Sequence, residues 1–522
     1  LLLAGLLIFS HCLSAPLDHD EHQFVAGATL LARRGLSPYR DYPYLHMPYG
    51  IFANAALFRL AAPSAGLLLA ARLLSAVCSL ATIALLAAAV RYAYRDHPAG
   101  AQGWLAPAAV LLLLTSPLFA AVAGLAWNHD MAEALLLAAT VLFLREIRLG
   151  TFAPGTMLAV GTFLGLSIGV RLTTAPAVAA FAGWALADIR APGRRRVMAA
   201  GLLLLGMAVA LSPCAWLFLQ SPRGFVFGNF GYPTLNSAFR VAHGSMTGST
   251  TPSGKVGYFF SRIVFSSSSG FLVLLIALTI WLRRGRHLSG QERRTGREEM
   301  RFLGLLAVFL LSGSFAPAPM FIVYFYAPVP FAILWLSYAW RPLLGEKRHS
   351  GGLPSPTKSF ISQKCAAAML AVCCLAGGFS SYRRGITALR PGQWVPLQVR
   401  HSGVDLRRQL LSAGAPSGPI LTMAPIIPLE GGLDIYEQFA TGPFAFRVAP
   451  MVPESDRRAL HLIDGHDLSQ LLSQRPPMAV LFNVEEPSEE EPMLGAVPKA
   501  SLMVRLVHGS RFSVERRAES RR

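Results

Sequence analysis

The sequence predicts a mainly α-helical, polytopic membrane protein of about eleven spans that ends in a small α/β domain. Three observations lead there. The 522-residue chain is 53% hydrophobic and only 14% charged, with a mean hydropathy of +0.45, whereas soluble chains carry about 25% charged residues. Apolar runs near the roughly 20 residues needed to cross a bilayer recur as far as residue 381. Beyond that point the apolar runs become short and β-like, separated by Pro/Gly turns.

Taken in order, spans are expected at 1–14, 66–90, 104–124, 131–149, 155–170, 174–187, 198–219, 259–282, 302–316, 321–340 and 365–381. The first is short and opens on Leu1 without a methionine, so the record is expected to be truncated at its start. Residues 155–187 read either as two short helices joined at Arg171-Leu172-Thr173-Thr174 or as one bent segment. Gly161, Gly165 and Gly169 recur every fourth residue and give one helix face that admits a close neighbour. Ser266 to Ser269 read as hydrogen-bonding residues within a span. Residues 1–381 thus form a membrane module with a large first loop over 15–62, and 382–522 a soluble α/β domain. Strands are expected around Ile420, Val480 and Val504, and amphipathic pieces at 405–411 and 468–472. The acidic run 485–491 reads as a solvated loop, and the Arg-rich last residues as frayed.

The net charge of +19 does not point to nucleic acid, because no basic patch with interleaved aromatics occurs. The charge instead sets topology. With the N-terminus in the cytoplasm, loops 91–103, 145–154, 188–197, 283–301 and 341–364 hold 20 Lys and Arg, against 8 in the longer outer connections. The positive-inside rule selects this orientation. The six cysteines, Cys12, Cys78, Cys214, Cys365, Cys373 and Cys374, lie in or beside apolar segments, so neither a disulfide framework nor a CxxC metal site is expected.

This orientation brings the loop after the first span, the turn Trp127-Asn128-His129-Asp130, the loop 220–258 and the tail to one outer face. The first loop has Asp18, Asp20 and Glu21 with His19 and His22, then Pro38-Tyr39-Arg40-Asp41-Tyr42-Pro43-Tyr44-Leu45-His46-Met47-Pro48-Tyr49. Carboxylates just outside a span suit the transfer of a sugar from a lipid phosphate. Partial desolvation raises their basicity, a base takes the proton of the attacking group, and cations stabilise the departing phosphate. Tyr39, Tyr42 and His46 read as a sugar-facing wall. Arg40 and Asp41 read as substrate contacts or as a local ion pair.

The outer-loop Asp-Glu, the Pro-Tyr-Arg-Asp-Tyr stretch and the later His-Asp resemble the GT-C superfamily, nearest the protein O-mannosyltransferase-like and aminoarabinose-transferase-like enzymes. The resemblance covers the layout of about residues 1–380. It implies an inverting glycosyltransferase that uses a polyprenyl-phosphate sugar, with Asp20 and Glu21 as the catalytic pair and Asp20 as base. It implies a second acidic site at Asp130, with His129 beside it; helix capping is the alternative role there. The stretch Leu433 to Phe444 looks like segments of uncharacterised bacterial relatives and carries no assigned chemistry.

Arg171 reads as a phosphate contact or as a side chain snorkelling to the interface. Arg240 and Lys255 are further phosphate candidates. His19, His22 and His129 are ligand types for a divalent metal ion, but no HExxH-like spacing unites them, and a metal is not favoured. The expected partners are the polyprenyl-phosphate sugar donor, membrane lipids and a glycan, lipid or protein acceptor. Low Lys usage against Arg points to a bacterial inner membrane, with site and tail in the periplasm. Two rival functions are a flippase for lipid-linked sugars, which needs mid-span charges and inverted repeats, and a non-catalytic assembly protein.

Overall fold

The computed structural model describes residues 2–95, 99–188, 192–245, 249–284, 295–344, 388–499, 501–507 and 511–516. The expected span 365–381, Cys365, Cys373, Cys374, most of the loops 283–301 and 341–364, and the Arg-rich end lie outside the described residues.

The first helix, α1 (Leu2–Ser14), turns by 88° into α2 (His19–Arg34). The sequence gives a mechanism for this turn. Asp18 is the N-cap of α2 and accepts the Asp20 N–H at 2.8 Å, while Glu21 accepts the Asp18 N–H at 3.0 Å, a capping box that fixes where the helix starts. At the other end Gly35 adopts φ +68°, the left-handed geometry that glycine reaches without strain. The first loop over 15–62 is therefore largely helical, with α3 (Tyr49–Ala65) packed against α2.

The helices α4 (Leu67–Ala93), α5 (Ala99–Leu114), α6 (His129–Leu149), α7 (Pro154–Val170), α8 (Ala177–Ala187) and α9 (Gly193–Ala210) follow, then α10 (Ser212–Gln220), α11 (Tyr232–Ala242) and α12 (Pro252–Phe259). Among the described residues, α13 (Ser267–Arg284), α14 (Thr295–Phe315) and α15 (Val329–Leu344) come next. Among the described residues two helical stretches are long and apolar enough to cross a membrane, Leu67–Ala93 and Ile322–Trp340, or five if each of three bent pairs is one span. The expected span 104–124 stops at Leu114, where Ser116-Pro117 starts a separate short helix. The expected span 198–219 is bent by 48° at Leu211, because Pro213 in the first turn of α10 cannot donate to the helix before it. The expected span 259–282 is broken by 88° at the serine run, where the Ser266 hydroxyl accepts the Ser269 N–H at 3.3 Å. Residues 155–187 form two short helices, the first of the two readings. The glycine face does admit a close neighbour: α7 and α9 make the most intimate helix pair, with Gly161 and Gly165 against the Leu203 and Met207 carbonyls.

The tail is built as the short runs imply. Its four-stranded sheet has the order β1 (Ile420–Leu421), β2 (Ala479–Phe482), β3 (Leu502–Val507), β4 (Arg511–Arg516). β1, β2 and β3 are parallel, with Ile420 beside Ala479 and Val480 beside Met503, and β4 is antiparallel to β3. Helices α16 (Val395–Ser412), α17 (Pro443–Val448) and α18 (Gly465–Gln474) pack around it. The acidic run is not a solvated loop. It enters α19 (Pro487–Ala496), and buried Glu490 accepts the N–H groups of Asn483, Val484 and Glu485 at 2.7, 2.9 and 3.0 Å. The tail docks firmly onto α2 and α4. Arg33 donates to the Leu429 carbonyl at 2.9 Å, and Glu430 accepts the Leu68 N–H at 2.8 Å. A tail carboxylate thereby sits at the positive end of α4.

Candidate active site

A cavity of about 730 Å³ opens where α2, the 45–47 segment, the 127–129 turn, the 171–176 connection, α11, the 313–324 segment and α17 meet. Among its charged lining residues are Asp20, Arg171 and Arg240. Asp20 stands on the first turn of α2 and keeps 43% of its side chain exposed. Gln23 Nε2 approaches its carboxylate at 3.5 Å. Enclosure by the cavity walls pushes its pKa up to about 6; His19, Arg447 and Arg240 pull it back, and Asp18 adds to the rise. A carboxylate in that range can take a proton near neutral pH and is still ionised there.

Arg171 is held from three sides. Its Nη1 donates to Asn128 Oδ1 at 2.7 Å and meets His129 Nε2 at 3.0 Å, and its Nε donates to the Thr173 hydroxyl at 3.0 Å. This contact requires the His129 tautomer with its proton on Nδ1. The guanidinium lies 5.1 Å over the Tyr324 ring, and that of Arg240 lies 5.6 Å over Phe321. Phe321 and Tyr324 pack edge to face at 5.6 Å. Two cations thus flank one aromatic pair on the wall of the cavity that holds Asp20, an arrangement suited to an anionic leaving group. Arg240 also has a buried Nε with no partner. His46 lines the cavity, stacked on Phe24 at 5.2 Å, and burial pushes its pKa down to about 3, so the ring is neutral.

Several residues singled out from the sequence lie elsewhere. Glu21 is fully buried and points away from the cavity. Its Oε1 accepts from Arg72 Nε at 2.7 Å and from the Ala126 N–H at 2.9 Å, and its Oε2 accepts from Arg72 Nη2 at 2.6 Å. With the Asp18 bond, every lone-pair direction of this carboxylate is used, so it has none left to act as a base. Arg72 spends its remaining donors on the carbonyls of Cys12, Ala15 and Pro16, each at 2.9 Å. Asp130 is buried and outside the cavity lining; its Oδ2 accepts the Gly124 N–H at 2.9 Å and shapes the turn that presents Asn128 and His129. Tyr39 and Tyr42 are fully buried rather than sugar-facing, donating to the carbonyls of His46 and Gly27. Arg40 and Asp41 form the local ion pair, at 2.7 Å, away from the cavity. Lys255 Nζ donates to the Phe315 and Ala316 carbonyls at 2.8 and 3.2 Å, capping α14 instead of lining the site.

The sequence reading missed Tyr324, Phe321, Tyr232 and Phe444, whose local patterns are those of ordinary apolar segments. It also missed Arg72, which lies inside the expected span 66–90. Ligand-type atoms of Asp18, His19 and Asp20 lie within 4.8 Å of one another. That trio is read more simply as a helix cap, since Asp18 is already spent on the backbone of Asp20. The three cysteines among the described residues, Cys12, Cys78 and Cys214, are unpaired thiols.

No family model matches the sequence, and no curated relative does. Solved structures do share the fold. The ArnT of Cupriavidus metallidurans bound to undecaprenyl phosphate superposes with a TM-score of 0.58 at 13% identity, over 98% of this chain and 96% of that one. The apo form of the same protein gives 0.59 at 14% identity over the same shares. The apo oligosaccharyltransferase of Archaeoglobus fulgidus matches 78% of this chain and 57% of its own, with a TM-score of 0.46 at 12% identity. ArnT is a glycosyltransferase of the GT-C type, and this chain shares its fold along almost its whole length.

Proposed function

We propose that this protein is an inverting glycosyltransferase that moves a sugar from a polyprenyl-phosphate donor to a glycan, lipid or protein acceptor. One observation carries the reading. A carboxylate with its pKa raised to about 6 shares a cavity with Arg171 and Arg240, on a fold whose solved counterpart is described with undecaprenyl phosphate bound. In the reaction the acceptor's oxygen or nitrogen attacks the anomeric carbon, and its proton passes to Asp20. The bond from that carbon to the phosphate oxygen breaks on the opposite face, so the configuration inverts. The phosphate leaves with the electron pair, and Arg171 and Arg240 take up its charge. His129 and Asn128 fix Arg171 for that task. Glu21, Arg72 and Asp130 build the scaffold beneath.

The same reading takes the chain as about eleven spans, with residues 1–381 as the membrane module. Residues 382–522 form the soluble unit, facing the periplasm of a bacterial inner membrane together with the cavity. The charge asymmetry between loops supports this orientation.

The test uses the full chain in detergent or nanodiscs with a panel of radiolabelled undecaprenyl-phosphate sugars and membrane-extract acceptors. Asp20→Asn is expected to lower transfer by about 10²–10⁴-fold without changing the melting temperature by more than a few degrees. In the wild type, the rate should fall as pH drops through about 6, where Asp20 becomes protonated. Wild-type rates in Asp20→Asn would rule this mechanism out.

A further inference from the structure

Transfer leaves a proton on a carboxylate inside a cavity, and each turnover requires that it leave. His19 stands between Asp20 and the tail. Its Nε2 lies 4.0 Å from Asp20 Oδ1, and its Nδ1 lies 3.9 Å from Oε2 of Glu485. Both ring nitrogens therefore face a carboxylate, one in the cavity and one in the C-terminal unit. The ring is braced edge to face by Phe444 at 5.2 Å. The turn carrying Glu485 is fixed by its own N–H, which donates to buried Glu490 at 3.0 Å. Gaps near 4 Å are closed by a modest side-chain rotation or by one bridging water.

We propose that His19 and Glu485 form a proton relay that empties Asp20 after each transfer, so that the C-terminal unit supplies the terminal proton acceptor of the active site. This rests on Asp20 being the base. The step balances without a further reactant. Asp20 returns its proton to Nε2 of an imidazole that carries hydrogen on Nδ1, the Nδ1 hydrogen passes to the Glu485 carboxylate, and the ring is left as the other tautomer. Exchange of His19, 43% exposed, and of Glu485 with water then resets both groups. The charged surroundings favour this direction. Burial pushes Glu485 up to about 8, helped by Glu489, Glu490 and Asp18 and opposed by Arg447. Asp20, near 6, faces His19, Asp18, Arg447 and Arg240, and lies within the field of Arg171. The proton thus moves towards the group that holds it more tightly.

The experiment follows transfer from whichever undecaprenyl-phosphate sugar the wild-type chain turns over, between about pH 5 and 9. Because both carboxylates must be ionised, the wild-type rate should rise in two steps, near pH 6 and near pH 8. Glu485→Gln is expected to lower kcat about tenfold, to leave the donor KM unchanged and to erase the upper step. His19→Gln should do the same, and Glu485→Asp should restore part of the rate. Thermal melting identifies any variant that fails to fold; should Glu485→Gln be one, His19→Gln decides. An unchanged profile in the variants, with Asp20→Asn inactive, overturns the relay and leaves the base in place. An active Asp20→Asn overturns both.

Discussion

Asp20 and Glu21 are adjacent in sequence but about 100° apart around α2, and that rotation separates their work. Asp20 turns to the cavity. Glu21 turns inward to Arg72, where both side chains are fully excluded from solvent. A buried pair of this kind adds little net stability, but losing one partner strands a charge at a cost of about 3–5 kcal/mol. Arg72→Met is therefore expected to lower the melting temperature sharply, and Arg72→Met with Glu21→Leu to recover part of the loss. Melting curves of the three proteins in detergent check this; a double variant no more stable than the single one would contradict it. The Asp-x-x-Glu pattern at 18–21 was legible in the sequence as an acidic cluster, whereas the helix start it marks came only with the fold. The identity of the buried member was not, because its partner lies 51 residues away and no local spacing marks it. For the same reason Arg171 was recognisable as a costly charge near an apolar pair, but its contact with His129 required the fold.

At the level of elements, glycine spacing and helix breaks were unequally readable. The every-fourth-residue glycines of α7 announced a close contact, and the contact of Gly161 and Gly165 is with α9, while Gly169 lies against the Tyr49 ring of α3. A Cβ on Gly161 would meet the Leu203 carbonyl oxygen at 1.9 Å, and one on Gly206 would meet that of Leu158 at 2.2 Å. Backbone cannot yield as a side chain end does, so Gly161→Ala should separate the helices and cost about 1–3 kcal/mol. Gly155→Ala, where nothing lies within 4 Å, should stay within about 0.5 kcal/mol of the wild type. Equal melting temperatures for the two variants would show that the helix contact is looser than described. The bends at Leu211 and at the serine run escaped the sequence reading because hydropathy averages over a window and does not register direction. A span and a kinked pair have the same composition; only Pro213 gave a local signal.

On the scale of the whole molecule, the tail closes the site. Phe444 lines the cavity, Glu430 caps α4, and Glu485 reaches His19. The strands of this unit were readable from its short apolar runs. Its docking was not, since the contacts join residues nearly 400 positions apart. Docking also sets a pH dependence whose sign follows from linkage. Burial raises the pKa of Glu430 and carries that of Glu485 to about 8. The docked state therefore binds more protons than the unfolded one between the ordinary carboxylate range and about pH 8, and stability falls as pH rises through that window. The two groups should differ in how they answer substitution. Glu430 accepts a backbone N–H at the start of α4, so Glu430→Ala loses a cap as well as a charge. Glu485 has no such cap to lose, so Glu485→Gln should mainly flatten the pH dependence. Hydrogen exchange at residues 426–430 and 483–490, corrected for intrinsic rates, is expected to accelerate from about pH 5 to pH 8 in the wild type and much less in Glu485→Gln. If exchange in both proteins follows the intrinsic rate alone, these carboxyls do not hold the tail, and its attachment rests on the apolar contact of Ile426, Leu429 and Ile435 with α2, α3 and α4.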